Sequence, residues 1–487
     1  MKNRSSLKKK ALSSIAWSGS IQISSQVLNF LLGIVLARLL SPEVFGLMAM
    51  LLVFSIVSQL LSDFGFSASL IQKKEVTKDE SFSCFVINCM IGLVFAACLF
   101  LTNSSLAQFY NEPFVEVLSL AIAPLFLINS TCSVPTALMS RELEYKKLSL
   151  IQLSSVLLGS VSAIICALLD FGVWSLVIQQ YITALTRAIF LLKLSSFRVG
   201  SFKIALIKPL MKFSASVFTT KLIQQVAQQT DKILVGKYVG ATTLGFYSRA
   251  YYLTAFPITN ITRVVSDVMF PVLSQIKQDL SKVNEVYFRL VGMIAVLTFP
   301  LLIGMAFLAE EIIMLLLGDK WLPMTKFFIV FSIANIFSTI GQLCGPFFLS
   351  QGRADLQLKI NSFTQPVRIL LLVIGIQWGV EGILLAYLVS TLISFLTPVL
   401  VLTIVVLQTN IISLFLTLIK PFLASGIMLT TLVILKSTAS FNSALVNIML
   451  FGLVGSLTYL LSIRTFKDSA YFELESLLLK KINVRAG

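Results

Sequence analysis

The sequence predicts an all-α membrane protein with about 14 transmembrane helices, arranged as two pseudo-symmetric six-helix lobes plus two C-terminal helices. Of its 487 residues, 57% are hydrophobic and only 12% are charged, which excludes a soluble fold. A spanning helix takes about 20 apolar residues, so 14 helices and their short connections use nearly the whole chain. No length remains for a separate soluble domain.

Basic residues alternate between connections, and this alternation predicts the topology. Lys and Arg outnumber Asp and Glu by 38 to 22. Most of the cations lie before the first predicted span, after each even-numbered span up to the tenth, and in the tail, within 2–10, 73–78, 141–147, 193–212, 277–289, 353–359 and 464–485. The positive-inside rule places that side, and both termini, in the cytoplasm. The connection near 408–412 carries no charge, so charge does not fix the helix boundaries after residue 380.

Apolar runs and breakers divide the chain into segments. The predicted spans are 11–38, 45–71, 81–103, 114–139, 148–169, 172–195, 209–236, 243–270, 286–309, 322–350, 356–377, 380–407, 412–435 and 441–463. The longest cytoplasmic connection separates six spans from eight. We therefore predict an N-terminal lobe at 1–200, a C-terminal lobe at 201–408, and two helices with a cytoplasmic tail at 409–487.

Two predicted spans carry the same polar stripe, 199 positions apart. The spacing i, i+4, i+7, i+11 places each stripe on one helix face. The stripes are Gln22, Gln26, Asn29 and Gly33, and Lys221, Gln225, Gln228 and Lys232. The offset continues in the next hairpins, where Arg38, Leu40, Phe45 and Gly46 correspond to Lys237, Val239, Leu244 and Gly245. We predict parallel repeats related by an axis along the bilayer normal, with the stripes lining a water-filled cavity.

Ionisable residues inside spans predict a cationic cavity, because each costs about 2.5–3.5 kcal/mol at mid-bilayer unless it faces protein or water. Guanidinium and ammonium groups suit a phosphate-bearing headgroup. The predicted cationic residues are Lys221, Arg249, Arg263, Lys232, Arg187 and Arg368, and the predicted polar lining adds Gln22, Gln26, Asn29, Gln225, Gln228 and Asn260. The aromatic residues Tyr247, Tyr251 and Tyr252 share the hairpin of the seventh and eighth spans with Lys221, Lys232, Arg249 and Arg263.

Structural roles stay open for several of these residues. Arg263 and Asp267 form an i, i+4 pair that can neutralise itself. Lys232 can snorkel to the outer interface, and Lys420 is predicted to snorkel or to pack. Three carboxylates are candidates for ion coupling, with a structural partner as the alternative: Asp63, Asp231 and Asp267.

Several absences restrict the function. The chain has no histidine, which removes His-based acid–base chemistry, His metal sites and a His proton relay. It has no P-loop motif for ATP hydrolysis. The six cysteines lie inside predicted helices and form neither a disulfide nor a metal-binding pattern. We expect no metal, no cofactor, no nucleic-acid partner and no enzymatic activity.

Four segments make the chain resemble the Wzx-type polysaccharide flippases of the multidrug/oligosaccharidyl-lipid/polysaccharide exporter superfamily, with the colanic-acid-exporter-like members as the nearest likeness. They are ARLLSPEVFGLMAM at 37–50, FGFSASLIQ at 64–72, MSRELEYKKLS at 139–149 and DKILVGKYVGATTLGFYSRAYYL at 231–253. The resemblance implies a two-lobed bundle in a bacterial inner membrane. It also implies an undecaprenyl-pyrophosphate-linked oligosaccharide as substrate, translocated for surface polysaccharide synthesis (O-antigen, exopolysaccharide or capsule), and a glycan polymerase and a chain-length regulator as partners.

Two alternatives differ in function. A cation-coupled multidrug exporter of the same superfamily requires carboxylates deep in its lobes, whereas the intramembrane excess here is cationic. A non-transporting scaffold of a glycan-assembly complex would carry no substrate at all. Alternating access by rocking lobes is the mechanism that we expect for a flippase.

Overall fold

The computed structural model describes residues 24–63, 65–73, 75–438 and 443–476. Within these ranges only the backbone is described for 55–63, 68, 209–217, 219–224, 226–227, 263–268 and 270–271. The described chain is helical almost throughout and contains no β-strand. It divides into two compact units, Met1–Gly245 and Phe246–Gly487.

The first unit holds the helices up to the start of the tenth. Their bounds are α1 Ser24–Leu39, α2 Pro42–Asp63, α3 Phe66–Gln72, α4 Lys78–Leu101, α5 Asn103–Tyr110, α6 Phe114–Arg141, α7 Tyr145–Leu168, α8 Val173–Leu194 and α9 Ile204–Val239. Helix α9, which the sequence assigns to the second lobe, packs against α2 and α4 within this unit. The lobe boundaries at 200 and 408 stay predictions.

The second unit begins inside α10, which runs from Ala241 to Ile276. The following helices are α11 Leu280–Phe307, α12 Ala309–Leu316, α13 Thr325–Ser350, α14 Ala354–Gly375, α15 Gly379–Leu400, α16 Ile411–Thr438 and α17 Ala444–Thr465. A π-helical segment, Val401–Val406, continues α15. A further helix covers 469–476 within the described chain.

The helices confirm the predicted fold class, an all-α protein that crosses a membrane many times. Nine stretches of the described chain are long and apolar enough to span a bilayer, and one of them, Ala354–Val406, contains both α14 and α15. Two shorter apolar helices are Ser24–Leu39 and Pro42–Phe54. The number of 14 spans stays a prediction.

Many hydroxyl groups in the helices donate to a carbonyl oxygen of their own helix. The Ser130 hydroxyl donates to the Phe126 carbonyl at 2.6 Å in α6, and the Thr254 hydroxyl donates to the Ala250 carbonyl at 2.9 Å in α10. Because hydrocarbon offers no hydrogen-bond partner, this back-bonding lets small polar residues occupy a span at low cost.

Aromatic side chains form the core of the second unit around α10. Tyr247 meets Phe331 of α13 edge to face, with ring centroids 5.0 Å apart, and Phe331 in turn packs on Tyr387 of α15 at 4.6 Å. Tyr247 and Phe331 are fully buried, as is Trp321 beside Phe246. Edge-to-face pairs add about 0.5–1.5 kcal/mol each to the area they bury, so α10 is firmly fixed along this face.

The long connection between α8 and α9 is held against the start of α4. The Asp79 carboxylate accepts hydrogen bonds from the Ser201 amide at 2.9 Å and from the Lys203 ammonium at 2.7 Å. The Ser83 hydroxyl accepts a third bond, from the Lys203 amide, at 2.9 Å. The part of the connection that enters α9 is therefore docked on the first unit, which limits where a hinge can act.

Replacing Asp79 with Ala should release this connection. The substitution removes both hydrogen bonds to the carboxylate, and the loss of even one bond to a charged acceptor, worth about 1.5 kcal/mol, corresponds to about a tenfold increase in local opening. We expect limited trypsin digestion of the folded protein in detergent to cut at Arg198 or Lys203 about ten times faster in Asp79→Ala. Glu75→Ala, on the neighbouring exposed connection, removes the same charge and is the control. Equal cleavage rates in the two variants would contradict the docking.

Candidate functional site

The turn between α1 and α2 packs directly against the turn between α9 and α10. Gly46, near the start of α2, faces the backbone of Ala241, and a Cβ at Gly46 would overlap the Ala241 carbonyl oxygen. Gly245 faces the Pro42 carbonyl oxygen, which a Cβ at Gly245 would overlap in the same way. The two turns therefore meet backbone to backbone, at a separation that only glycine permits. We call this contact, made by Pro42, Gly46, Ala241 and Gly245, the hairpin seam.

The hairpin seam is reciprocal. Pro42 and Ala241 are 199 positions apart, and so are Gly46 and Gly245, which is the offset of the polar stripes. The glycine of each hairpin therefore contacts the first residue of the second helix in the other hairpin. Two repeats that face each other across a two-fold axis would make the same reciprocal contact. The apolar side chains beside the seam are buried, and they include Leu40, Phe45 and Leu244.

Helix α10 has two opposite faces. Tyr247, Ala250, Thr254 and Ile258 follow the spacing i, i+3, i+7, i+11 and are all buried in the second unit. On the opposite side of the helix, about 180° away at 100° per residue, stand Arg249, Tyr252, Phe256 and Asn260. We call this second set the polar face of α10. The predicted grouping of Arg249 with Asn260 agrees with these positions.

The polar face carries one cation against aromatic rings. The Arg249 guanidinium lies 5.9 Å from the centroid of the Tyr252 ring, and the Tyr252 ring lies 6.4 Å from that of Phe256. Arg249 and Phe256 are half-buried, whereas Tyr252 is 36% exposed. The Asn260 amide donates to the Phe256 carbonyl at 2.8 Å, which turns its own carbonyl oxygen away from the helix. A guanidinium, aromatic faces and an amide acceptor are thus presented in sequence along one helix.

The polar stripe of α9 is only partly exposed. Gln228 is exposed, Gln225 is half-buried, and the Lys232 ammonium donates to the Gln229 side chain at 3.0 Å. Asp231 is buried, and its carboxylate accepts the Lys232 amide at 2.9 Å. In α1, Gln26 and Gly33 are half-buried, whereas Asn29 is exposed.

The other predicted cations lie on separate helices. Arg187 is half-buried in α8, beside the apolar cluster that includes Ala188 and Leu191. The Arg368 guanidinium of α14 lies 5.7 Å from the centroid of Tyr387, and so borders the aromatic core of the second unit. Lys420 of α16 donates to the Lys467 carbonyl at 3.2 Å, which agrees with its predicted packing role.

Five predicted residues fall outside what the structure describes. Gln22 precedes the described chain. For the other four the backbone is helical but the side chain is not described: Asp63 in α2, Lys221 in α9, and Arg263 and Asp267 in α10. Their assignments therefore stay predictions.

Two functional features were not predicted from the sequence. One is the hairpin seam, although the offset that relates its two glycines was recognised. The other is the place of Phe256 on the polar face, together with the separation of Tyr252 from Tyr247, which is buried on the other side of the helix. Counting three and seven residues on from Arg249 would have identified both aromatic positions.

A protein-family model described as "Polysaccharide biosynthesis protein" matches residues 35–326, more than half of the chain. The chain belongs to this family. The match includes the hairpin seam and the polar face of α10. It confirms the resemblance drawn from the segments at 37–50, 139–149 and 231–253.

Curated relatives and solved structures agree with this family. The lipopolysaccharide biosynthesis protein WzxC of Escherichia coli is 26% identical over 400 residues, covering 80% of this chain and 81% of that protein. The teichuronic acid biosynthesis protein TuaB of Bacillus subtilis is 27% identical over 381 residues, covering 77% of this chain and 78% of that one.

Two solved structures share the fold at low sequence identity. The lipid II flippase MurJ in its inward closed conformation superposes with a TM-score of 0.75 at 17% identity, covering 93% of this chain and 98% of that chain. A multidrug resistance transporter of the MATE family, in an inward-facing conformation, gives a TM-score of 0.58 at 11% identity, covering 83% and 98%. The chain therefore shares its fold with both of these proteins.

Substituting the seam glycines should force the two hairpins apart. Gly46→Ala and Gly245→Ala each place a methyl group on a backbone carbonyl, and such overpacking costs about 1–3 kcal/mol. Because both substitutions act on one contact, we expect the double variant to lose less stability than the two single losses combined. The melting temperatures of the purified variants in detergent measure this. Gly426→Ala in α16, where a Cβ meets open space, is the control. Additive losses, or losses no larger than that of the control, would refute the seam.

Proposed function

We propose that this protein is a flippase that carries polyprenyl-pyrophosphate-linked oligosaccharide repeat units across the bacterial inner membrane for surface polysaccharide synthesis. The observation that carries the proposal is the polar face of α10, where a guanidinium lies on the side of a predicted spanning helix opposite its packed core. Membership of the polysaccharide biosynthesis family supports the same substrate class.

The polar face suits an anionic headgroup. Arg249 lies inside the predicted eighth span, where a charged side chain facing lipid would cost several kcal/mol, so its position favours a polar environment such as a headgroup. A guanidinium donates paired hydrogen bonds to phosphate oxygens and stays charged at any physiological pH. We assign Arg249 to the diphosphate, with Lys221, Lys232, Arg263, Arg187 and Arg368 as further cations that the headgroup meets during transport.

In an alternating-access mechanism, the hairpin seam would close the outer end of the transport path. The charge pattern predicts that the α1–α2 and α9–α10 turns lie on the outer side, with both termini in the cytoplasm. A backbone contact without side chains can close a path tightly and still part without breaking an ion pair. We propose that the seam is shut while the headgroup enters from the cytoplasmic side, and that it opens when the lobes rock.

Net transport of the substrate requires coupling to an energy source such as an ion gradient, and coupling requires an ion-binding group inside the protein. Asp231 is the described carboxylate that suits this role, because it is buried within a span near the seam end of α9. Asp63 and Asp267 are further candidates. A glycan polymerase and a chain-length regulator are the partners that such a flippase would supply with substrate.

Two other functions are distinguished by charge and by transport. A multidrug exporter shares the fold, as the MATE structure illustrates. Organic cations would be repelled by Arg249 and Arg368, which weakens that alternative. A non-transporting scaffold would not require a cation such as Arg249 on the polar face of α10. The assignment as a transporter rather than an enzyme rests on the same residues.

The experiment that tests the proposal is flipping in reconstituted vesicles. The full chain is reconstituted with a labelled polyprenyl diphosphate that carries a sugar, and the labelled lipid reaching the opposite leaflet is measured. Losing one charge-assisted contact to phosphate, worth about 1.5–3 kcal/mol, should lower the rate of Arg249→Gln at least tenfold. Arg353→Gln is the matched control, because the Arg353 side chain is 43% exposed and paired with Asp355.

The outcomes separate the three functions. A parent protein that flips the labelled lipid, with loss in Arg249→Gln alone, supports the flippase. No flipping by the parent indicates a scaffold. Transport of organic cations without transport of the lipid indicates a drug exporter, and full activity in Arg249→Gln removes the diphosphate assignment.

A further inference from the structure

We infer that Tyr252 and Phe256 form a saccharide subsite, on which the sugar rings next to the diphosphate stack while Arg249 holds the phosphates. This inference rests on the proposed function and extends it, because it assigns the carbohydrate part of the substrate to named residues. Within the described part of the second unit, the polar face of α10 brings a cation and two aromatic rings together on the side of the helix opposite its packed core.

The aromatic rings of the polar face lie on the side of α10 opposite the aromatic core of the second unit. The core of that unit uses Tyr247 on the opposite side of α10, with Phe331 and Tyr387. Tyr252 is 36% exposed and points away from this core. Tyr252 thus offers part of its ring surface to a ligand between an arginine and a phenylalanine.

The spacing along α10 matches a sugar diphosphate. At about 1.5 Å of rise per residue, Tyr252 lies about 4.5 Å beyond Arg249 along the helix axis, and Phe256 lies about 6 Å further. In the substrate the first sugar ring is joined directly to the diphosphate, and the next ring follows it. A phosphate on Arg249 therefore brings the first ring to Tyr252 and the second towards Phe256.

The chemistry of the face matches that of a pyranose. The C–H groups on one side of a sugar ring are weakly positive, and the face of an aromatic ring is negative, so the two attract while water is displaced. Sugar hydroxyls need acceptors at the rim of such a stack. The Asn260 carbonyl oxygen supplies one, since its amide group is already bonded to the Phe256 carbonyl.

The chain offers a matched control in the neighbouring residue. Tyr251 is 39% exposed, close to the 36% of Tyr252, but it lies on the core side of α10 with its ring 6.0 Å from that of Phe331. Tyr251→Leu and Tyr252→Leu therefore remove the same ring at equal exposure, one from each side of the helix. Tyr252→Phe keeps the ring and removes only the hydroxyl.

The test compares two probes on the full chain in lipid nanodiscs: polyprenyl diphosphate, and polyprenyl diphosphate carrying a single glucose. We expect the parent protein to bind the glucose probe more tightly than the bare one. Tyr252→Leu should weaken binding of the glucose probe about fivefold and leave the bare probe unchanged, because a stack of about 1 kcal/mol is lost. Tyr252→Phe should bind like the parent, and Arg249→Gln should weaken both probes.

Each other result overturns the inference. Equal binding of the two probes by the parent removes the saccharide subsite and leaves the proposed flippase intact. An equal loss for both probes in Tyr252→Leu shows a structural effect, as does the same loss in Tyr251→Leu. No binding of either probe by the parent removes the proposed function together with the subsite.

Discussion

The close backbone contact at the hairpin seam constrains everything around it. Two turns can approach until carbonyl oxygens meet Cα atoms only because Gly46 and Gly245 have no side chain. That approach fixes the ends of four helices at once, α1 and α2 on one side and α9 and α10 on the other.

Helix α10 carries the proposed binding surface. Its buried face is fixed by the aromatic core around Tyr247, so the opposite face, with Arg249 and Tyr252, is left to other contacts. Charge alone would attract any anion. A guanidinium followed by aromatic rings selects a ligand in which phosphate is joined to a flat, partly apolar group, and a sugar diphosphate is such a ligand.

Local sequence patterns predict the fold class and part of the candidate site. The features that they do not predict depend on contacts between residues that are far apart in the sequence. Hydropathy and charge gave the all-α membrane fold, and the 3.6-residue period placed Arg249 and Asn260 on one face. The offset of 199 identified Gly46 and Gly245 as equivalent positions of the two hairpins, but no local pattern indicates that the two hairpins are in contact. The hydrogen bond from Ser201 to Asp79 could not be predicted either, because no local pattern shows which distant residues are in contact. Tyr252 was recognised only as an aromatic neighbour, because hydropathy does not distinguish a ring in a core from a ring that faces a ligand.

The most direct test of the central claim is the distance across the hairpin seam. Glu43 and Thr242 are exposed, lie at equivalent positions of the two hairpins and are 199 positions apart. Spin labels at these two positions, in a background without the six native cysteines, report that distance by pulsed electron resonance. With the protein in lipid, we expect one short distance between the labels, and a second, longer distance in addition when a sugar-bearing polyprenyl diphosphate is added. A distribution that is long from the outset, or that is unchanged by the lipid-linked sugar, would contradict it.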